Sequence, residues 1–89
     1  MTVTISPKAE KYFRKLNKLD QIAISEKIKN LKEIKFIREE KLQGFKNIFR
    51  VRVGHYRIVY RRLKENIYII LIGHRKDIYQ ILKYLLKHS

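Results

Sequence analysis

Hydrophobic positions change period along the chain, running in three- and four-residue steps up to about residue 35 and in two-residue steps from Ile48, then returning to helical spacing after Gly73. Thr2 to Ile5 alternates as a short strand does, and Ser6-Pro7 supplies an N-cap residue followed by the one helical position that suits proline. Ala9, Tyr12, Phe13, Leu16 and Leu19 then form one apolar stripe, with a break predicted at Asn17 to Asp20. Ile24, Ile28, Leu31 and Ile34 mark a second amphipathic segment, so residues 7–35 read as a helical hairpin with a solvated, charged outer face. Phe36 to Phe45 loses periodicity and reads as a loop ending at Gln43-Gly44.

Ile48 to Val53 alternates, with Arg50 and Arg52 on one face and Phe49, Val51 and Val53 on the other; Gly54-His55 makes the turn. Tyr56 to Leu63 sets Arg57, Val59 and Arg61 against Tyr56, Ile58 and Tyr60. After a turn at Lys64, Glu65 and Asn66, the run Ile67 to Ile72 has the continuous apolar character of a strand buried on both faces. Ile78, Ile81, Leu82 and Leu85 predict a C-terminal helix with Asp77 in its first turn, where a negative charge is favourable. The expected fold is α+β in the order β-α-α-β-β-β-α, the helical hairpin packing on a small sheet that contains an antiparallel meander.

With 89 residues the chain suits one domain, 1–89, with one core and no enclosed cofactor pocket. A composition 45 % hydrophobic and 34 % charged, with 3 Gly and 1 Pro, excludes a disordered basic tail. The absence of cysteine removes disulfides, thiolate metal sites and a cysteine nucleophile. No apolar run reaches the ~20 residues of a membrane span, and no signal-peptide pattern opens the chain, so a soluble, cytoplasmic protein without membrane contact is expected.

The formal net charge of +14 favours a polyanionic partner, and its distribution narrows the choice. Residues 44–76 carry nine basic side chains against one acidic. Arg50 and Arg52 share a strand face and Arg57 lies across the turn from them, an arrangement that suits a bidentate phosphodiester clamp or a wet sheet face carrying solubilising arginines. Arg75 and Tyr79 stand where both can approach that face, although a tyrosine beside Ile78 and Leu82 equally suits a core position with a wet hydroxyl. Lys46, Arg61, Arg62 and Lys76 read as general electrostatic contacts to a polyanion such as RNA or DNA. No phosphate-binding glycine loop, paired-histidine metal motif or Ser/His/Asp spacing is present, so neither a metal nor a cofactor is expected.

The segments RVGHYRIVY (Arg52 to Tyr60) and GHRKDIY (Gly73 to Tyr79) resemble the RelE/ParE superfamily of toxins, in its RelE-like branch, and the element order and length agree over nearly the whole chain. The resemblance implies the toxin of a type II toxin–antitoxin pair, one that enters the ribosomal A site and cleaves mRNA, with a RelB-like acidic antitoxin and the ribosome as partners. It further implies that Arg50 and Arg52 stand near the scissile phosphate, that Arg57 binds it, that Arg75 donates a proton or stabilises charge, and that Tyr79 positions the mRNA. The implied chemistry is attack of the ribose 2′-OH on the adjacent phosphorus, giving a 2′,3′-cyclic phosphate and a 5′-hydroxyl. Some relatives carry lysines where this chain has Arg50 and Arg52, and an arginine does not accept a proton at ordinary pH. His74, His55, the A-site RNA or geometry and charge alone stand as alternatives for that step. Two further functions compete: a ParE-like inhibitor of DNA gyrase, and a basic RNA- or DNA-binding module without catalysis.

Overall fold

A computed structural model describes residues 1–33 and 39–87. The elements are β1 (Thr2–Ile5), α1 (Pro7–Arg14), α2 (Lys18–Lys32), β2 (Glu39–Lys41), β3 (Ile48–Val53), β4 (Tyr56–Arg62), β5 (Asn66–His74) and α3 (Ile78–Lys87). The predicted positions of Ile34 and of Phe36 at the start of the loop, and the side chain of Leu85, lie outside the described residues.

Capping chemistry sets the helix starts. The Ser6 hydroxyl accepts from the Ala9 N–H at 3.1 Å and donates to the Ile70 carbonyl at 2.7 Å, tying the β1–α1 junction to β5. Asn17 caps α2 by accepting from the Asp20 N–H at 2.9 Å, and Gln21 donates to the Phe13 carbonyl at the end of α1. This early break corrects the first helical stripe: Leu19 belongs to the first turn of α2 and is 79 % exposed. Asp77 likewise precedes α3, its carbonyl accepting from the Ile81 N–H.

The sheet has the order β1-β5-β4-β3-β2, with β1 parallel to β5 and the remaining pairs antiparallel. The expected β3-β4-β5 meander is present, and the segment read as a loop contributes an additional edge strand, β2. Two apolar layers enclose the sheet. One, beneath α1 and α2, gathers Ala9, Ile24, Leu31, Val51, Ile58, Tyr60, Ile67, Ile69 and Ile72; the other, beneath α3, gathers Ile48, Val59, Leu71, Ile78 and Leu82.

The unbroken apolar run of β5 has a specific cause. Val59 pairs with Leu71 whereas Tyr60 pairs with Ile69, so Ile70 is an extra residue that shifts the strand's phase. Ile67, Ile69 and Ile72 therefore face the helical hairpin while Ile70 and Leu71 face α3. Gly73 lets α3 approach, since a Cβ there would stand 2.7 Å from Ile78 Cδ1. Among the described residues no helix is long and apolar enough to cross a membrane.

Candidate active site

The α3 face of the sheet is polar at one end. Residues two apart on a strand share a face, so β3 presents Arg50 and Arg52 together, and the two-residue turn at Gly54-His55 sets Arg57 of β4 directly opposite Arg52. Gly54 has φ +59°, the left-handed conformation such a turn needs. On the other side of β3, Arg50 pairs in register with Glu40 of β2, and the first turn of α3 brings Tyr79 over it. These five residues line a concavity of about 160 Å³.

Arg50 is held on two sides. Its Nε and Nη2 donate to Glu40 Oε2 at 3.1 and 2.5 Å, its Nη1 donates to the Tyr79 hydroxyl, and its guanidinium lies 4.9 Å from the Tyr79 ring centroid. Among the described residues Arg52 donates to the Gly54 carbonyl, and Arg57 to the Tyr56 and Gly54 carbonyls. Backbone dipoles therefore orient these two guanidinium groups, and among the described residues no carboxylate forms an ion pair with either. The Arg50 hydrogen bonds and charge hold the Glu40 carboxyl below its ordinary value, with a smaller contribution from Arg57, and the bond to Glu40 raises Arg50. The carboxylate beside the three cations is ionised at neutral pH.

Arg75 stands at the same end of the sheet, its N–H donating to the His55 carbonyl at 2.8 Å and its side chain exposed outside the concavity. His74, one of the alternatives for the proton acceptor, faces away from the cleft. Paired with Tyr56, it lies on the helical-hairpin face, while Gly73 pairs with Arg57 on the cleft face. Its ring stands 6.1 Å from His55 and 6.0 Å from Tyr56, and its Nδ1 accepts from the Lys76 N–H at 3.2 Å. Tyr56 is itself tied to the hairpin by donating to Asp20 at 2.8 Å, a bond that raises its pKa.

Lys46, Arg61 and Lys76 are exposed, Arg61 on the same sheet face as the cleft. Arg62 is on the opposite face, ion-paired with Glu39 at 2.6 Å and stacked over Phe49 at 5.4 Å. The residue that sequence reasoning missed is Glu40; alternation within Glu39-Glu40-Lys41 was its only available signal, once β2 was known to be a strand. Tyr79 also lines an apolar groove of about 550 Å³, together with Leu42, Phe45, Leu82, Lys83 and Lys87.

The family model described as the ParE toxin of type II toxin–antitoxin systems, parDE, matches residues 3–79. No curated protein sequence matches significantly. Among solved structures, the RelB–RelE antitoxin–toxin complex from Methanococcus jannaschii is similar at 23 % identity and a TM-score of 0.72, over 88 % of this chain and 96 % of that one. The isolated E. coli RelE toxin gives 22 % and 0.73 over 96 % and 97 %. The YoeB–YefM complex from Staphylococcus aureus gives 28 % and 0.68 over 81 % and 93 %. The α+β architecture, with helices on both faces of a five-stranded mixed sheet, is that of the RelE-like fold.

Proposed function

Because the chain belongs to the ParE toxin family of type II toxin–antitoxin systems, within the RelE/ParE superfamily, we propose that it is a ribosome-dependent endoribonuclease cleaving mRNA in the A site and so inhibiting translation in the cytoplasm. The observation that carries this reading is the convergence of Arg50, Arg52 and Arg57 with Tyr79 and Glu40 in one concavity of about 160 Å³. Three cations on one sheet face repel one another, and a phosphodiester entering between them relieves that repulsion.

In the proposed reaction the 2′ oxygen forms a bond to phosphorus as the bond to the 5′ oxygen breaks. Arg52 and Arg57, which form no ion pair among the described residues, bind the phosphoryl oxygens and oppose the growing negative charge of the transition state. Tyr79 offers a ring for stacking on a base. Glu40 accepts the 2′ proton. In the free protein Arg50 holds this carboxylate at low basicity, and when Arg50 turns to the phosphate that restraint weakens, so the base strengthens as substrate binds. Arg75 stabilises charge on the leaving oxygen, which takes its proton from water.

The test is cleavage of mRNA on programmed ribosomes. Arg57→Ala and Arg75→Ala are expected to lose at least about 100-fold in rate with the fold retained, and full cleavage by both would overturn the assignment. The family model's ParE description favours a second reading, inhibition of DNA gyrase. A supercoiling assay run beside the cleavage assay separates the two.

A further inference from the structure

β2 is three residues long, and Glu39, Glu40 and Lys41 give it no apolar side chain to bury. Its ladder with β3 consists of three residue pairs, extended by the Leu42 N–H to Ile48 carbonyl bond, and it is the edge of the sheet. So short and polar a strand needs another anchor to hold its place.

The anchor lies on the face away from the cleft. Glu39, its side chain 25 % exposed, accepts from Arg62 at 2.6 Å and from the hydroxyl of Tyr60, a fully buried member of the larger core. Phe49 stacks on Tyr60 with centroids 5.9 Å apart and also carries the Arg62 guanidinium, 5.4 Å from its ring centroid. Both partners of Glu39 belong to β4, so the grip reaches across β3 to fasten β2. Because successive residues of a strand point to opposite faces, fastening Glu39 aims Glu40 into the cleft, where it meets Arg50.

We propose that Glu39, gripped by Tyr60 and Arg62, is a positioning residue for the cleft: it locks the edge strand so that Glu40 is delivered to Arg50 on the opposite face. The inference rests on the endonuclease reading only for its consequence in catalysis. The placement of Glu40 is measurable without it.

The experiment follows the Glu40 side-chain carboxyl carbon by NMR titration in the intact protein, together with single-turnover cleavage on programmed ribosomes. In the unaltered protein Glu40 titrates below the ordinary glutamate value of 4.5. In Glu39→Gln and in Arg62→Met it returns toward that value, and the maximal single-turnover rate of cleavage falls at least about tenfold with the half-saturating ribosome concentration nearly unchanged. Arg62→Lys, which keeps the charge without the planar fork, gives an intermediate titration shift and serves if the first two variants do not fold. Arg14→Ala, which removes an exposed helical pair with Glu10, leaves both readouts unchanged. An unaltered Glu40 titration in the folded variants, whatever their loss of thermal stability, overturns the proposal. Absence of cleavage by the unaltered protein overturns the endonuclease reading instead, with the titration still deciding the role of Glu39.

Discussion

Arg52 and Arg57 face each other across the β3–β4 ladder, and like charges in that position oppose folding. Glu40 is the residue that moderates the cluster, and its pH dependence has a definite sign. Its carboxyl is depressed in the folded protein, so the stabilisation it gives is fully present above the ordinary value of 4.5 and is lost as pH falls through the lower, folded value. Glu40→Gln is therefore expected to lower the melting temperature at neutral pH, with the difference closing in the acid range below 4.5; a constant difference across that range would contradict the pairing. The same variant should lose about 100-fold in cleavage at neutral pH while remaining folded, the scale of a missing proton acceptor. The arginines were legible because alternation and a two-residue turn give both face and register, with no need of distant contacts. Glu40 was not, since a strand of three charged residues has no hydrophobic phase. Nor was the face of His74 legible, because Ile67 to Ile72 is apolar on both sides and the extra residue Ile70 shifts its phase.

At the scale of elements, α3 brings Tyr79 to Arg50, and its seat is the close approach of Ile78 to Gly73. Ile78 is fully buried against Ile48, Val59 and Leu71, so its terminal methyl has little room to turn aside. Gly73→Ala should cost about 1–2 kcal/mol, overpacking outweighing the entropy that alanine removes from the unfolded chain. Ile78→Val deletes the Cδ1 methyl that a Cβ at 73 would meet. In that background the cost of Gly73→Ala should shrink by at least about 0.5 kcal/mol in urea denaturation, and strict additivity would show that the two side chains do not compete for this space. The helix period of residues 78–82 made α3 readable and the Ser6-Pro7 signal placed α1. The parallel pairing of β1 with β5 was hidden, because it joins segments more than sixty residues apart that no local pattern links. Leu19 was misassigned for the opposite reason: its spacing fits the stripe of the preceding helix, but the Asn17 cap starts a new helix before it.

For the whole molecule, a charge of +14, with nine basic side chains against one acidic in residues 44–76, makes the free protein self-repelling and well matched to an acidic chain with apolar anchors. In the toxin–antitoxin reading that chain is the antitoxin, and the two surfaces give it separable roles. Lys83 and Lys87 line the groove and are exposed, so they act on encounter through their field; Leu42, Phe45 and Leu82 supply its apolar lining and act on dissociation through the area an antitoxin covers. Lys83→Glu combined with Lys87→Glu should slow association with the cognate antitoxin about tenfold at low salt while changing dissociation by less than about twofold. Raising the salt to about 1 M shortens the screening length to about 3 Å and should bring the two association rates together. Phe45→Ala should do the reverse, speeding dissociation with little effect on encounter. If the charge reversal instead acts on dissociation and survives high salt, the lysines are buried in the complex, and the antitoxin crosses α3 rather than lying along the groove beside it.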